Sequence, residues 1–243
     1  MFKRNKEGGV TETAVMAALS TVIEPELHRD LVSLNMIRNL KIEGSDVSFT
    51  IMLTTPACPL KGKMEADSRA ALASVSGIGK ITIGWDANVP TDRRIKDQLG
   101  QSFRNTIAVS SGKGGVGKST IAVNLAIALA QTGASVGLLD ADILGPNVPM
   151  MMGVAQMPPP RNRKMVPAEN YGVKFISMAF LVQPDQPLIW RGPMLHSAIS
   201  QLLTDVEWGE LDYLIIDLPP GTSDAQLTLA QVLPLSGTIV VTQ

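Results

Sequence analysis

The stretch Ser111-Gly-Lys-Gly-Gly-Val-Gly-Lys-Ser-Thr120 decides the fold of this chain. It satisfies the pattern G-x-x-x-x-G-K-[ST], in which the backbone N–H groups of a loop surround a polyphosphate. Glycine is favoured there because the curl uses backbone angles that disfavour a side chain and because the backbone must approach phosphate oxygens closely. We therefore predict nucleotide contacts from Gly112, Lys113, Gly114, Gly115, Val116, Gly117, Lys118, Ser119 and Thr120.

The flanking sequence supports this interpretation over the alternative of a glycine-rich turn without a ligand. Thr106–Ser110 is apolar and β-branched, as expected of a buried strand. Thr120–Gln131 has Ile121, Leu125, Ala128 and Leu129 at helical spacing, which predicts the apolar face of a helix that ends at Gly133. A strand, a glycine loop and a helix in this order are what phosphate binding requires. In such a loop, Lys118 reaches the β- and γ-phosphates and the Ser119 hydroxyl ligates Mg²⁺.

Acidic residues close two further predicted strands. Ser135–Leu139 is followed by Asp140 and Asp142, and the strand Leu211–Asp217 ends on an acid. Because ligands of open α/β sheets lie at the carboxyl ends of the strands, we expect these acids beside the phosphate loop. Asp217 and Asp140 are predicted to hold Mg²⁺, and Asp142 to orient an attacking water. An alternative for Asp140 is that it only caps the following segment.

Composition restricts the class of protein. The 243 residues are 45% hydrophobic and carry a formal net charge of -1, which predicts a globular chain with no general attraction to nucleic acid or membranes. One cysteine permits no intramolecular disulfide, so a reducing, cytoplasmic location is expected. The N-terminus has no apolar stretch long enough for a signal peptide or a membrane span.

The first 85 residues predict a small α+β domain. A helix is expected over Thr11–Val22, ending at Pro25, and a second helix over Pro59–Val75. Between them, apolar and polar residues alternate around a turn at 43–46, which indicates a hairpin, and Ile81 and Ile83 suggest a third strand. We divide the chain into this domain at 1–85, a charged linker at 86–105 that contains Pro90, and a nucleotide domain at 106–243.

Cys58 has two interpretations that the residues leave open. Pro59 suits the first helical position, which would put Cys58 at the N-cap beside the positive end of the helix dipole. With Lys61 and Lys63 nearby, the thiolate would be favoured as a metal ligand or nucleophile. Alternatively, Cys58 is a small apolar residue in a tight turn. His28 and His196 have no partner at ligand or triad spacing.

The remaining sequence completes the prediction of an α/β fold, a P-loop NTPase with a mostly parallel sheet that follows the small α+β domain. Val173–Met178 and Thr238–Thr242 are expected to be strands. Helices are predicted after Trp190-Arg-Gly-Pro-Met194, ending near Thr204, and from Ser223 or Asp224 to Val232. Arg191 is a candidate for a phosphate or partner contact and equally for a structural ion pair.

The phosphate loop resembles that of a known group. Lys113-Gly-Gly-Val-Gly-Lys-Ser119 is similar to the deviant Walker A loop of the MinD/ParA/nitrogenase-iron-protein group. Within it, three motifs resemble the Mrp/ApbC iron-sulfur cluster carriers: Asp140-Ala-Asp-Ile-Leu-Gly-Pro-Asn147, Trp190-Arg-Gly-Pro-Met194 and Asp217-Leu-Pro-Pro-Gly-Thr222. Three front-domain motifs resemble the iron-sulfur assembly domain often fused to them: Pro25-Glu-Leu27, Asp30-Leu-Val-Ser33 and Thr54-Thr-Pro-Ala-Cys-Pro59.

The resemblance implies an ATP-hydrolysing carrier that binds an iron-sulfur cluster and passes it to recipient apoproteins, with assembly factors as further partners. It implies a homodimer in which Lys113 reaches the partner's nucleotide, and catalysis by Lys113, Lys118 and Asp142. In that family a Cys-x-x-Cys pair holds the cluster; this chain ends before it, so we expect a truncated copy or fragment with an incomplete sheet. The alternatives are a non-catalytic assembly adaptor and a MinD/ParA-like partitioning ATPase.

Overall fold

The protein is described by a computed structural model that covers residues 10–90, 103–142, 145–180, 192–221 and 235–243, with only the backbone described for 192–196. The chain divides into two compact units, Met1–Val89 and Pro90–Gln243. In the described residues, no helix is long and apolar enough to cross a membrane.

The first unit packs two helices with two small sheets. Its elements are α1 (Glu12–Leu19), β1 (Ile23–Glu24), β2 (Arg29–Asp30), β3 (Ile37–Glu43), β4 (Asp46–Leu53), α2 (Lys61–Ala73) and β5 (Ile81–Ala87). Strands β1 and β2 pair antiparallel, and the second sheet has the order β3-β4-β5. Strand β3 is antiparallel to β4, whereas β5 is parallel to it.

The predicted hairpin is present. Along β4, the residues at alternate positions from Val47 to Leu53 are buried, while those between them are partly exposed. Gly44 makes the turn with a φ of +65°. The period-2 pattern of the sequence therefore identified the face of β4 that packs against the core.

Helix α1 is shorter than the sequence predicts. It begins after Thr11, whose hydroxyl accepts a hydrogen bond from the Ala14 N–H, but it ends at Leu19 instead of continuing toward Pro25. The Ser20 and Thr21 hydroxyls donate to carbonyls three residues earlier and so satisfy acceptors that the next helical turn would use. The chain then turns into β1, which pairs with β2.

The predicted linker is too long at both ends. Strand β5 continues past Trp85 to Ala87, and the Asn88 N–H donates to the Leu53 carbonyl. At the other end, the next strand begins at Phe103, three residues before the expected Thr106, because the Phe103 ring is buried edge-on against another aromatic ring. Residues 91–102 lie outside the described residues.

The second unit is an α/β layer structure. Its described elements are β6 (Phe103–Ser111), α3 (Lys118–Gln131), β7 (Val136–Asp140), α4 (Val148–Met151), β8 (Ala168–Asn170), β9 (Val173–Ser177), a 3₁₀ turn at Met178–Phe180, α5 (Gly192–Thr204), β10 (Leu211–Asp217) and β11 (Gly237–Val241). The sheet order is β11-β6-β10-β7-β9-β8. Every neighbouring pair is parallel except β8 with β9. The predicted P-loop fold with a mostly parallel sheet is confirmed.

Sheet register determines where the polar residues meet. Asp217 at the end of β10 lies opposite Val109 of β6 on one side and Asp140 of β7 on the other. Asp140 in turn lies opposite Ser177 of β9. The carboxyl ends of four parallel strands therefore meet at one edge, where the loop after β6 also begins.

Small residues bring α3 close to this sheet. Its buried apolar face consists of Ala122, Val123 and Ala126, whereas Ile121, which its helical spacing assigned to the apolar face, is 43% exposed. The sequence therefore predicted the helix but not its orientation. The expected contact of Arg191 and the expected helix over 223–232 lie outside the described residues.

Candidate active site

The loop between β6 and α3 forms the floor of the site. Gly115 and Gly117 have φ angles of +80° and +91°, which a side chain would strain. At Gly112 and Gly114 the backbone is unstrained, and an added Cβ would meet no atom within 4 Å. The structure therefore requires glycine by conformation at two of the four positions, and at the other two it leaves open space.

Lys118 is the centre of the charged groups at this edge. Its side chain is 6% exposed, and its Nζ atom donates to Asp217 Oδ1 at 2.6 Å and to Ser119 Oγ at 3.2 Å. Asp142 Oδ2 lies 3.7 Å from the same ammonium. The first helical turn thus carries a buried cation that is compensated by acids from the ends of β10 and β7.

Asp217 retains an oxygen for a further ligand. The residue is fully buried, and Oδ2 has no hydrogen-bond partner among the described residues. Burial raises the pKa of the Asp217 carboxyl, and the Lys118 ammonium opposes that shift. A buried acceptor without a donor is costly, so this oxygen is available to a cation or to water.

Asp140 makes structural contacts instead of facing the loop. Its Oδ1 accepts from the Asp142 N–H at 3.2 Å, and its Oδ2 accepts from Ser177 Oγ at 2.8 Å and from the Val148 N–H at 3.4 Å. Burial raises the pKa of Asp140 to about 7, against the effect of the Ser177 hydroxyl. These contacts favour the alternative role in capping over the predicted role of Asp140 as a Mg²⁺ ligand.

Asp142 faces the cleft above the loop. Its Oδ1 accepts from the Gly145 N–H at 3.2 Å, which leaves Oδ2 toward Lys118. Asp142 is 6% exposed, and it lines the cleft together with the phosphate loop. Of the two acids after β7, the structure brings this one to the loop.

Lys113 lies outside the cleft. Its side chain is exposed, and its carbonyl accepts a hydrogen bond from Ser111 Oγ at 2.9 Å. The same Ser111 accepts at its own carbonyl from the Gly221 N–H at 2.9 Å. The loop is thus tied by Ser111, while the exposed Lys113 does not line the cleft.

The cleft has a volume of about 660 Å³. The sequence assigned no site role to six of its lining residues, which are Ser111, Gly145, Asn147, Met150, Met151 and Pro220. Met150 is 78% exposed, an unusual environment for a large apolar side chain. The signal available in the sequence was position, since four of these residues follow closely after Asp140 and Asp142.

The structure corrects the expected environment of Cys58. The cap position of α2 is occupied by Leu60, so Cys58 is two residues removed from the helix end. Lys61 donates to the Pro56 carbonyl at 2.9 Å, and Lys63 pairs with Asp67 at 2.8 Å. Cys58 is half-buried and packs against the apolar core of the first unit. These contacts favour the small apolar residue over the activated thiolate.

The described residues contain no group of three His, Cys, Asp or Glu side chains placed to hold a metal ion. A Mg²⁺ ion at the phosphate loop would therefore depend on few protein ligands, which is usual where substrate phosphates supply the others. His28 lies on a positive φ of 53°, and the side chain of His196 is outside the described atoms.

Two family models match the chain, one for each unit. Residues 102–243 match the model described as the NUBPL iron-transfer P-loop NTPase, which covers more than half of the chain. The chain belongs to this family. Residues 12–83 match the model described as iron-sulfur cluster assembly protein. The resemblance drawn from the motifs is confirmed.

Two relatives are similar to this chain over nearly its whole length. It is 52% identical to the iron-sulfur cluster carrier protein of Synechocystis sp., covering 96% of this chain and 68% of the relative. It is 45% identical to the chloroplastic Fe-S cluster assembly factor HCF101 of Arabidopsis thaliana, covering 96% of this chain and 44% of the relative. The chain thus spans about two thirds of the bacterial relative and less than half of the plant relative.

A solved structure is similar to the nucleotide unit. It is the nucleotide-binding protein from Archaeoglobus fulgidus in complex with ADP, at 40% identity and a TM-score of 0.52. The match covers 63% of this chain and 59% of that chain.

Proposed function

We propose that this protein is an ATPase that carries an iron-sulfur cluster and transfers it to apoproteins. The observation that carries the proposal is the Lys118 ammonium, held at 2.6 Å from Asp217 and 3.7 Å from Asp142 at the closed end of a cleft floored by the phosphate loop. ATP would enter this cleft and draw Lys118 from Asp217 to its β- and γ-phosphates.

The residues present fit a Mg²⁺ ion. Asp217 Oδ2 is buried without a donor, and the Ser119 hydroxyl lies at the start of α3; both are the hard oxygen ligands that Mg²⁺ prefers. We propose that these two residues hold it together with the phosphates, and that Asp140 does not. When bound, Mg²⁺ neutralises charge on the phosphate oxygens.

Asp142 is proposed to orient the attacking water. Its carboxylate accepts from the Gly145 N–H and lines the cleft together with the phosphate loop, so it would accept a hydrogen bond from a water beside the γ-phosphate. The exposed Lys113 is proposed to act across a homodimer, where its ammonium would stabilise charge on the partner's transferring phosphoryl group.

The cluster is proposed as cargo and not as a resident group. Support comes from the names of the relatives, iron-sulfur cluster carrier protein and Fe-S cluster assembly factor, and from the assembly-protein match over residues 12–83. Recipient apoproteins and assembly factors are the partners that such a role requires. Hydrolysis would change the loop after Asp217 and thereby the dimer interface.

The Lys118→Ala variant tests the proposal. We expect wild-type protein to hydrolyse Mg-ATP and the variant to lose at least about 100-fold in turnover, because one preorganised cation at the transferring phosphoryl contributes that much. The matched control is Lys164→Ala, which removes an exposed ammonium from the same unit and should leave turnover unchanged. Equal turnover in wild type and Lys118→Ala would contradict the proposal and favour the adaptor alternative.

A further inference from the structure

The carboxylate of Asp140 and the hydroxyl of Ser177 form a buried pair that the proposed chemistry does not use. The residues end adjacent strands, β7 and β9, and lie opposite each other in the sheet register. Ser177 Oγ donates to Asp140 Oδ2 at 2.8 Å, and both residues are fully buried. Neither lines the nucleotide cleft.

We propose that Asp140 and Ser177 are positioning residues that hold Asp142 and the start of α4 against the phosphate loop. The proposal deepens the proposed function and rests on it, since it assigns the pair to the placement of Asp142, the residue that orients water.

Asp140 holds the segment at two points. Its Oδ1 accepts from the N–H of Asp142 at 3.2 Å, and its Oδ2 accepts from the N–H of Val148, the first residue of α4, at 3.4 Å. One carboxylate therefore fixes the backbone on both sides of the turn between β7 and α4. Asp142 is therefore held twice: its backbone N–H donates to Asp140, and its own carboxylate accepts from the Gly145 N–H.

Ser177 fixes the orientation of the Asp140 carboxylate. The hydroxyl has a single proton, which it gives to Asp140, and its oxygen accepts from the Ala179 N–H at 3.1 Å. Because donor and acceptor capacities both have partners, the hydroxyl is held in one rotamer. Without it, Oδ2 would keep only the longer contact to Val148, and the orientation of the carboxylate would be less firmly held.

The hydrogen bond between Ser177 and Asp140 affects the cleft through Asp142 and through helix α4. Asp142 Oδ2 is directed toward the Lys118 ammonium, and α4 places Met150 and Met151 in the cleft wall. A shift at the Asp140 carboxylate would move the water-orienting acid without removing any group that contacts phosphate. The pair should therefore affect the chemical step more than nucleotide binding.

Steady-state ATPase kinetics of Ser177→Ala test this separation. We expect kcat to fall on the order of tenfold, the factor that a lost hydrogen bond to a charged group represents, while KM for ATP changes less than about twofold. The conservative variant Ser177→Thr keeps the hydroxyl and should recover most of kcat.

The control is Ile176→Val, the preceding buried residue of β9. It removes one methyl group from the apolar core and destabilises the unit while leaving every hydrogen bond of Ser177 in place. It should retain the wild-type kcat. Loss of kcat in Ile176→Val equal to that in Ser177→Ala, an unchanged kcat in Ser177→Ala, or a change confined to KM would each overturn the proposal.

Amide hydrogen exchange gives a readout that does not depend on turnover. In Ser177→Ala we expect faster exchange at Asp142 and Val148, whose N–H groups donate to Asp140. The Ala141 N–H donates to the Asp217 carbonyl at 2.9 Å and should keep its wild-type rate. Unchanged exchange at Asp142 and Val148 would overturn the positioning role. If wild-type protein lacks ATPase activity, the proposed function fails while this measurement still decides the inference.

Discussion

The two units differ in how many charged side chains they bury. At the carboxyl edge of the second unit's sheet, Lys118, Asp140, Asp142 and Asp217 are all at most 6% exposed. In the described part of the first unit the only buried ionisable side chain is Glu24, whose carboxylate accepts the N–H of Glu26 within its own turn. Burying charge is expensive, so a unit that concentrates it at one edge indicates a function there and not a contribution to folding.

The ion pairs on helix α2 of the first unit are exposed, unlike the buried charges of the second unit. Lys63–Asp67 and Arg69–Glu65 are (i, i+4) pairs on the exposed face of α2. Their charges stay in water and gain little from pairing. The comparison of the two units gives four predictions, in order of decreasing effect.

The largest effect is expected from the pH dependence of stability at Asp140. Its folded pKa of about 7 lies above the ordinary 3.8, so the folded state binds more protons between these pH values. The free energy of unfolding should therefore fall by on the order of a few kcal/mol as pH rises through this range, and it should be level at higher pH. In Asp140→Asn this part of the decline should be absent.

Urea denaturation of both proteins between about pH 5 and about pH 8 measures the difference. The neighbouring carboxylate of Asp217 contributes to the raised pKa and is present in both proteins. Parallel pH profiles for wild type and Asp140→Asn would contradict the buried-charge description of this edge.

The next effect is stabilisation by ligand. Mg-ATP at about 100 times its Kd should raise the free energy of unfolding of the second unit by about 2.7 kcal/mol, because it binds only the folded state. Hydrogen exchange should show added protection in β6 and none in β4. Lys118→Ala serves as the control and should show no added protection in either strand at the same nucleotide concentration.

A pair of glycine substitutions follows. A Cβ on Gly137 of β7 would lie 2.6 Å from Leu211 Cδ1 and 3.2 Å from Trp208 Cε3, so Gly137→Ala should lower the free energy of unfolding by about 2 kcal/mol. Gly62→Ala in α2 meets no atom within 4 Å and should raise it by up to about 0.5 kcal/mol. Denaturant titration of both variants measures the two signs. An unchanged or raised free energy of unfolding in Gly137→Ala would show that packing around Gly137 is looser than the structure indicates.

The smallest effect is expected at the surface of α2. The side chains of Lys63 and Asp67 are 57% and 42% exposed, so Lys63→Ala should cost less than about 0.5 kcal/mol. The loss should shrink further at high salt, since exposed charges are screened. A cost above about 1 kcal/mol in denaturant titration would mean that charge matters to this unit more than its exposure suggests.

Sequence patterns predicted what depends on periodicity. Strand β10 was predicted over its observed range, and the buried face of β4 follows from alternation alone. The phosphate loop was recognisable because its glycines and lysine are contiguous in sequence. These features depend on residues that are close together in the sequence, so they can be predicted without knowledge of the fold.

Features that depend on tertiary contacts were missed or misplaced. Ser177 gave no signal, because its role arises from pairing with a strand 37 residues away. Ile121 was assigned to the apolar face of α3, but the smaller Ala122, Val123 and Ala126 allow the helix to approach the sheet instead. The early end of α1 came from two hydroxyls that compete with the helix for its carbonyls.

The contact between Lys118 and Asp217 has a consequence for nucleotide affinity. The Lys118 ammonium already has a carboxylate at 2.6 Å, so an incoming triphosphate would exchange one ionic partner for another. The net affinity for nucleotide is then expected to be the difference between two strong attractions, and to be weaker than the phosphate contacts alone would give. Such an exchange would let nucleotide leave while the buried Lys118 ammonium regains a carboxylate partner, as the proposed ATPase would require for nucleotide release.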